Sequence, residues 1–197
     1  MLKEESYMFN PYYSSECCLS ETEVHLRDCF RLLWEQHVYW TRMVILGIVF
    51  DLPDLEQTTE RLLRNAPDFA KVFCRFYGNE IAFEFERLIR DHLVIAAELV
   101  KAAKAGDSRA AVDAEKRWYE NAEEIVCFLN QINPNWSVEC MREMWFTHLA
   151  LTKEEAVAML KEDYSRSIET FNKIEKEILM MADDFSNGII CQLRTVP

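Results

Sequence analysis

Glycine and proline are scarce in this chain of 197 residues, 4 and 5 respectively. An all-β sandwich, a dinucleotide-binding βαβ unit and a phosphate-binding loop all need such residues at fixed turn positions, so each is excluded. An all-α fold is what remains. Basic residues are also short, with 22 Lys and Arg against 34 Asp and Glu, a formal net charge of −12 and a pI near 4.8. Binding to nucleic acid or to an anionic membrane rests on an excess of positive charge, and neither partner is expected here. Long apolar runs are missing too. The longest, Met43 to Phe50, falls far below the roughly 20 residues that cross a bilayer. The opening Met1-Leu2-Lys3-Glu4-Glu5 carries acids and no apolar block, so no signal peptide is read and a cytoplasmic location is expected. The 7 cysteines include no paired C-x2-C spacing of the zinc type. Most are expected as buried free thiols, with the Ser-flanked Cys17-Cys18 pair exposed.

Half of the residues are hydrophobic, ample for one core at this length. A single domain over 20–190 is expected, after an irregular lead-in over 1–19. Ser20-Glu21-Thr22-Glu23 is a capping box, and the stripe Leu26, Phe30, Leu33, His37, Trp40, Val44 and Ile48 predicts a helix to about Phe50. Two short helices follow, over 55–65 and 67–76, and Tyr77-Gly78-Asn79 stops them. A second long helix over 79–104 carries His92 on its apolar face. A third spans 108–132 with Asn121 inward, and a fourth begins near Ser137 with His148 on its stripe. Thr152-Lys153-Glu154-Glu155 is another capping-box pattern, which leaves open a break before a helix over 153–185; Gly188 is read as the start of a tail.

The strongest pattern is internal. At an offset of 111 residues, Cys29 to Arg42 falls on Cys140 to Lys153 with Cys, Arg, Trp, His and Thr identical. Looser echoes occur at Ile89-x2-His92-Leu93 and at Trp118-x2-Asn121-Ala122. The expected architecture is an up-and-down four-helix bundle made from two related helical hairpins, with extra short helices between the first two long ones. Each of the four helices would place one polar side chain at a similar depth.

An imidazole on an apolar stripe has a donor and an acceptor to satisfy, and an orphaned one costs about 1–3 kcal/mol. His37, His92 and His148, with Asn121 nearby, would satisfy their inward atoms by holding one transition-metal ion, Fe, Zn, Mn, Cu or Ni. Storage, sensing or redox chemistry would follow, with Trp34 and Trp145 as a dry wall one turn before the ligands. The alternative is a non-enzymatic interaction or stress-related bundle in which the same residues form a structural hydrogen-bond network, with Thr41, Thr152, Asn121 or acidic neighbours as partners. The acidic faces would then meet a protein partner, and homo-oligomerisation is left open. Among the acids, Glu124 is the one expected to approach the interior; His25, off the stripe, is expected to be partly exposed. No G-x-S-x-G, H-E-x-x-H or glycine-rich phosphate loop is present.

In Leu33-Trp34-x2-His37-Val38-x2-Thr41-Arg42, Trp118-Tyr119-x-Asn121-Ala122, His148-Leu149-x-Leu151-Thr152 and Leu179 to Asp183, the chain resembles a family of uncharacterised bacterial all-helical proteins over about 28–190. Some members carry the labels acetylglutamate kinase or glycosyltransferase, activities that need an α/β nucleotide-binding scaffold absent from this composition. More remotely it resembles ferritin-like and hemerythrin-like bundles. That resemblance implies inward metal ligands, although the Glu-x-x-His signature of the di-iron members is missing.

Overall fold

A computed structural model describes residues 19–195; Cys17-Cys18 and nearly all of the expected lead-in lie outside the described residues. The described residues form six helices and no strand: α1 Glu21–Phe50, α2 Leu55–Leu63, α3 Asn65–Ala105, α4 Ser108–Ile132, α5 Val138–Leu160 and α6 Tyr164–Thr195. None is long and apolar enough to cross a membrane.

The first capping box is present, Ser20 accepting from the Glu23 amide while the Glu23 carboxylate takes the Ser20 amide. Arg64, between α2 and α3, keeps helical angles, so the chain passes from one to the other almost without turning. The interruption falls where Pro67 has no N–H to give. Gly78 then bends α3 sharply at φ 80°, a conformation open to glycine at little cost. Functionally, α3 is two helices, 65–77 and 79–105.

The second capping-box pattern does not start a helix. Thr152 and Glu155 are buried in the middle of α5, and the Glu155 carboxylate is taken by Arg42 of α1. The chain reverses later, at Lys161 to Asp163, where Glu162 adopts φ 60° and the Asp163 carboxylate caps the Arg166 amide. The long terminal element is therefore separate from α5. It also runs on through Gly188 to Thr195, because this glycine serves packing. A Cβ there would stand 2.0 Å from Nε1 of Trp136, whose ring lies against α6 and donates to the Asp184 carbonyl.

Left-handed residues end the first helix of three hairpins, at Asp51, Gly106 and Glu162, spaced by 55 and 56 residues. One hairpin joins α1 to α2 and 65–77, the next joins 79–105 to α4, and the last joins α5 to α6. They close on one another, α6 packing on α1, Phe69 and Phe73 of the first hairpin on Phe85 of the second, and α4 on α5. The expected two-hairpin, four-helix arrangement thus becomes three hairpins in a ring, and the offset of 111 seen in the sequence is two of these periods. One end of the interior is aromatic, with Phe73 stacked on Phe85 at 3.9 Å and Phe30, Phe69, Phe185 and Trp136 around them. Burial of each such ring contributes about 1.5–3 kcal/mol.

Candidate metal centre

Each hairpin places one histidine at the middle of the ring. His37, His92 and His148 come from the first helix of the three hairpins and are all buried. Their ring centroids lie 6.0, 5.5 and 6.2 Å apart, and one nitrogen from each ring lies within 4.8 Å of those of the other two. The expected convergence near the axis is met.

The second helix of each hairpin supplies the partner. His37 Nδ1 lies 2.9 Å from Asn65 Oδ1, His92 Nδ1 3.1 Å from Asn121 Oδ1, and His148 Nδ1 3.2 Å from Glu177 Oε2. These partners follow their histidines by 28, 29 and 29 residues. The amides are anchored in turn, Asn65 Nδ2 donating to the Leu33 carbonyl at 2.9 Å and Asn121 Nδ2 to the Leu88 carbonyl at 3.1 Å. Each of those carbonyls lies four residues before the histidine in question. The anchors fix the tautomers. Rotating either amide would set its oxygen against a backbone oxygen, so Oδ1 faces the ring and Nδ1 carries the proton. A carboxylate on His148 Nδ1 has the same effect.

Asn121, expected beside the histidines as a ligand, therefore stands behind His92 with both amide atoms committed. Asn65 and Glu177 hold the equivalent places, and neither was picked out from the sequence. The spacing of Asn121 from each is 56 residues, the one signal that could have found them. Glu124 is exposed rather than inward, and His25 is exposed, its Nε2 3.6 Å from Cys29 Sγ. Of the five described cysteines, Cys29 and Cys74 are half-buried and Cys127, Cys140 and Cys191 exposed, so the expected burial of the thiols is not met.

Electrostatics favour a neutral ring at His37 and at His92. Burial above all, then the adjacent His148, pushes His37 down to about 3, with the Asn65 hydrogen bond opposing. His92 is lowered well below the usual imidazole range by burial, then by His37 and His148. All three Nδ1 atoms point outward and are spent, which leaves Nε2 of each ring without a hydrogen-bond partner among the described residues. Trp34 and Trp145 close one side of the layer, their rings 5.7 Å apart and in edge contact with the imidazoles at 5.2 Å. Trp118 lies 5.4 Å from His92.

One further buried charge lies close by. Glu155, seven residues after His148 on α5, is raised to about 7 by burial, against the pull of the Arg42 guanidinium. Arg42 also donates to Ser167 at 3.3 Å, which ties α1 to both helices of the last hairpin. Comparison with protein-family models, curated proteins and solved structures gives no match to this chain.

Proposed function

We propose that this protein binds one first-row transition-metal ion through Nε2 of His37, His92 and His148. The observation that carries the reading is the set of outward Nδ1 hydrogen bonds. Three buried imidazoles, each with Nδ1 hydrogen-bonded outward, turn their other nitrogens toward one another. Acceptors facing acceptors repel, a single bridging proton would relieve only two of them, and a cation relieves all three. Imidazole is a borderline donor suited to Zn, Cu, Fe and Ni, and an all-nitrogen set is a poor cage for Mg or Ca. Three protein ligands leave a coordination position free, the arrangement of metal sites that handle a ligand rather than merely staple a fold.

The surrounding residues fit this role. Asn65, Asn121 and Glu177 act as the outer partners that orient ligating histidines and raise their basicity, and Glu177 adds a negative charge against a buried cation. The related-hairpin reading is kept in amended form, with three copies of one unit, each contributing one ligand and one orienting residue. Service as a metal carrier, sensor or redox centre is the functional class.

The test is metal analysis of untagged protein, with one equivalent of a transition metal expected. For the stripped protein, adding Zn2+ at a thousandfold excess over Kd should raise stability by about 4 kcal/mol, roughly 8–16 °C in melting temperature for a chain of this size. Retention of no metal, with a melting temperature unmoved by Zn, Fe, Mn or Cu, would sink the proposal and favour the structural network.

A further inference from the structure

Directly beyond the histidine layer, on the side of the hairpin turns, lies a cavity of about 140 Å³. Thr41, Ala96 and Thr152 are at its inner end, each four residues after His37, His92 or His148 and so one helical turn further along the same face. Val44, Leu99 and Trp118 are among its apolar walls. The opposite side of the layer is closed by Trp34 and Trp145, so this cavity, whose lining stops one turn short of the histidines, lies on the side left for a free coordination position.

Two features set it apart from a packing defect. Thr152 is buried on the cavity lining and its hydroxyl makes no hydrogen bond among the described residues, whereas the helical Thr58 and Thr59 turn their hydroxyls back to the carbonyls four residues before them. A hydroxyl left unspent at the floor of an apolar chamber calls for a ligand group that can pair with it. Lys153 and Glu115, ion-paired between α5 and α4, lie on its lining with their side chains partly exposed, which marks the side nearest solvent. A dry cavity of about 150 Å³ is large enough to take benzene, so an occupant of that size fits here.

We propose that this cavity is the ligand chamber of the metal centre, and that it receives a small, mostly apolar molecule of about benzene size with one hydroxyl-type donor at its inner end. The body of the ligand fills the space between Val44, Leu99 and Trp118, and its polar end meets Thr152, one turn beyond His148 on the side of the triad that Trp34 and Trp145 leave open. The proposal rests on the metal reading above.

Phenol and benzene are the probes, each titrated into Co2+-loaded and metal-free protein, with the visible absorption of Co2+ and the melting temperature as readouts. Phenol is expected to shift the Co2+ bands and to bind the loaded protein at least tenfold more tightly than benzene. Benzene is expected to raise the melting temperature of both forms without moving the bands. Ala96→Leu, and separately Val44→Phe, fill the chamber from two different helices and should lose both responses while near-ultraviolet circular dichroism stays native. A Co2+-loaded protein that responds to neither probe overturns the chamber and leaves the metal centre standing. Unchanged phenol binding in both natively folded variants also overturns the chamber, since it places phenol elsewhere. A protein that takes up no Co2+ overturns the metal centre and the chamber with it.

Discussion

Acid should unfold the metal-free protein through its buried histidines, and His37 allows the size of the effect to be worked out. Its folded value is about 3 against an ordinary 6.5, with burial as the main cause. A depressed folded value means that the unfolded chain takes up the proton more readily. The stabilising contribution is therefore fully present above 6.5 and is lost as pH falls toward 3. Each unit in that window is worth about 1.36 kcal/mol, so going from pH 7 to pH 5 costs the fold about 2 kcal/mol through His37 alone. His92, lowered by the same causes, adds a loss of the same sign.

The clean comparison is with His37→Leu. That variant leaves Asn65 Oδ1 without its partner and loses about 1–3 kcal/mol at every pH, so absolute stability is the wrong readout. The pH dependence is the right one. Glu155 works in the opposite sense: burial raises it from 4.5 to about 7, so its contribution is present below 4.5 and lost as pH rises through 7. Wild type and variant both carry it, so it cancels in their difference. Urea unfolding of both stripped proteins at pH 7, 6 and 5 should show wild type losing about 2 kcal/mol more than His37→Leu over the range. Equal losses would refute the picture of His37 as a neutral ring held away from water.

Two further outcomes test the packing and the orienting residues. Asn121→Leu should weaken metal binding 10- to 100-fold in a Co2+ titration by releasing His92 from its tautomer, with the three ligands all still present. Gly188→Ala should cost about 1–3 kcal/mol in thermal unfolding, because the new methyl would collide with the buried Trp136 ring; an unchanged melting temperature would mean that the ring has room to withdraw.

Much of the local structure was legible because its determinants are local. Ser20 and Glu23 cap α1, Gly78 and Gly106 take the left-handed angles that end helices, and the histidines fall on the expected faces. What the residues alone hid depends on distant partners. Thr152 and Glu155 spell a helix start, yet Arg42 on another helix claims the carboxylate, and the helix continues. Gly188 reads as a terminator until Trp136 is laid against it. The threefold period was masked at two places. The second helix of the first hairpin is interrupted before Pro67, and that of the third carries Glu177 where the others carry asparagine. The copies that share the most letters are the first and third, and their alignment passes over the one between.

Glu177 is the position at which a structural layer and a metal-binding one predict different behaviour. Asn65 and Asn121 each present an oxygen to a histidine and a nitrogen to a backbone carbonyl, so both ends are satisfied. Glu177 can present only oxygens. Oε2 meets His148, while Oε1 is buried with no hydrogen-bond partner. A layer kept only for its hydrogen bonds would be improved by an amide here, since an unsatisfied buried polar atom costs about 1–3 kcal/mol and an amide nitrogen could donate as its two counterparts do. A carboxylate has a use when a cation lies on the far side of the imidazole, where its charge offsets the metal and strengthens His148 as a donor. Glu177→Gln should therefore raise the stability of the stripped protein, by about 1 kcal/mol in urea unfolding, and weaken its metal affinity 10- to 100-fold. A variant that is less stable without metal and binds it equally well would show that the carboxylate serves the fold alone, and the case for a cation at the triad would lose its electrostatic support.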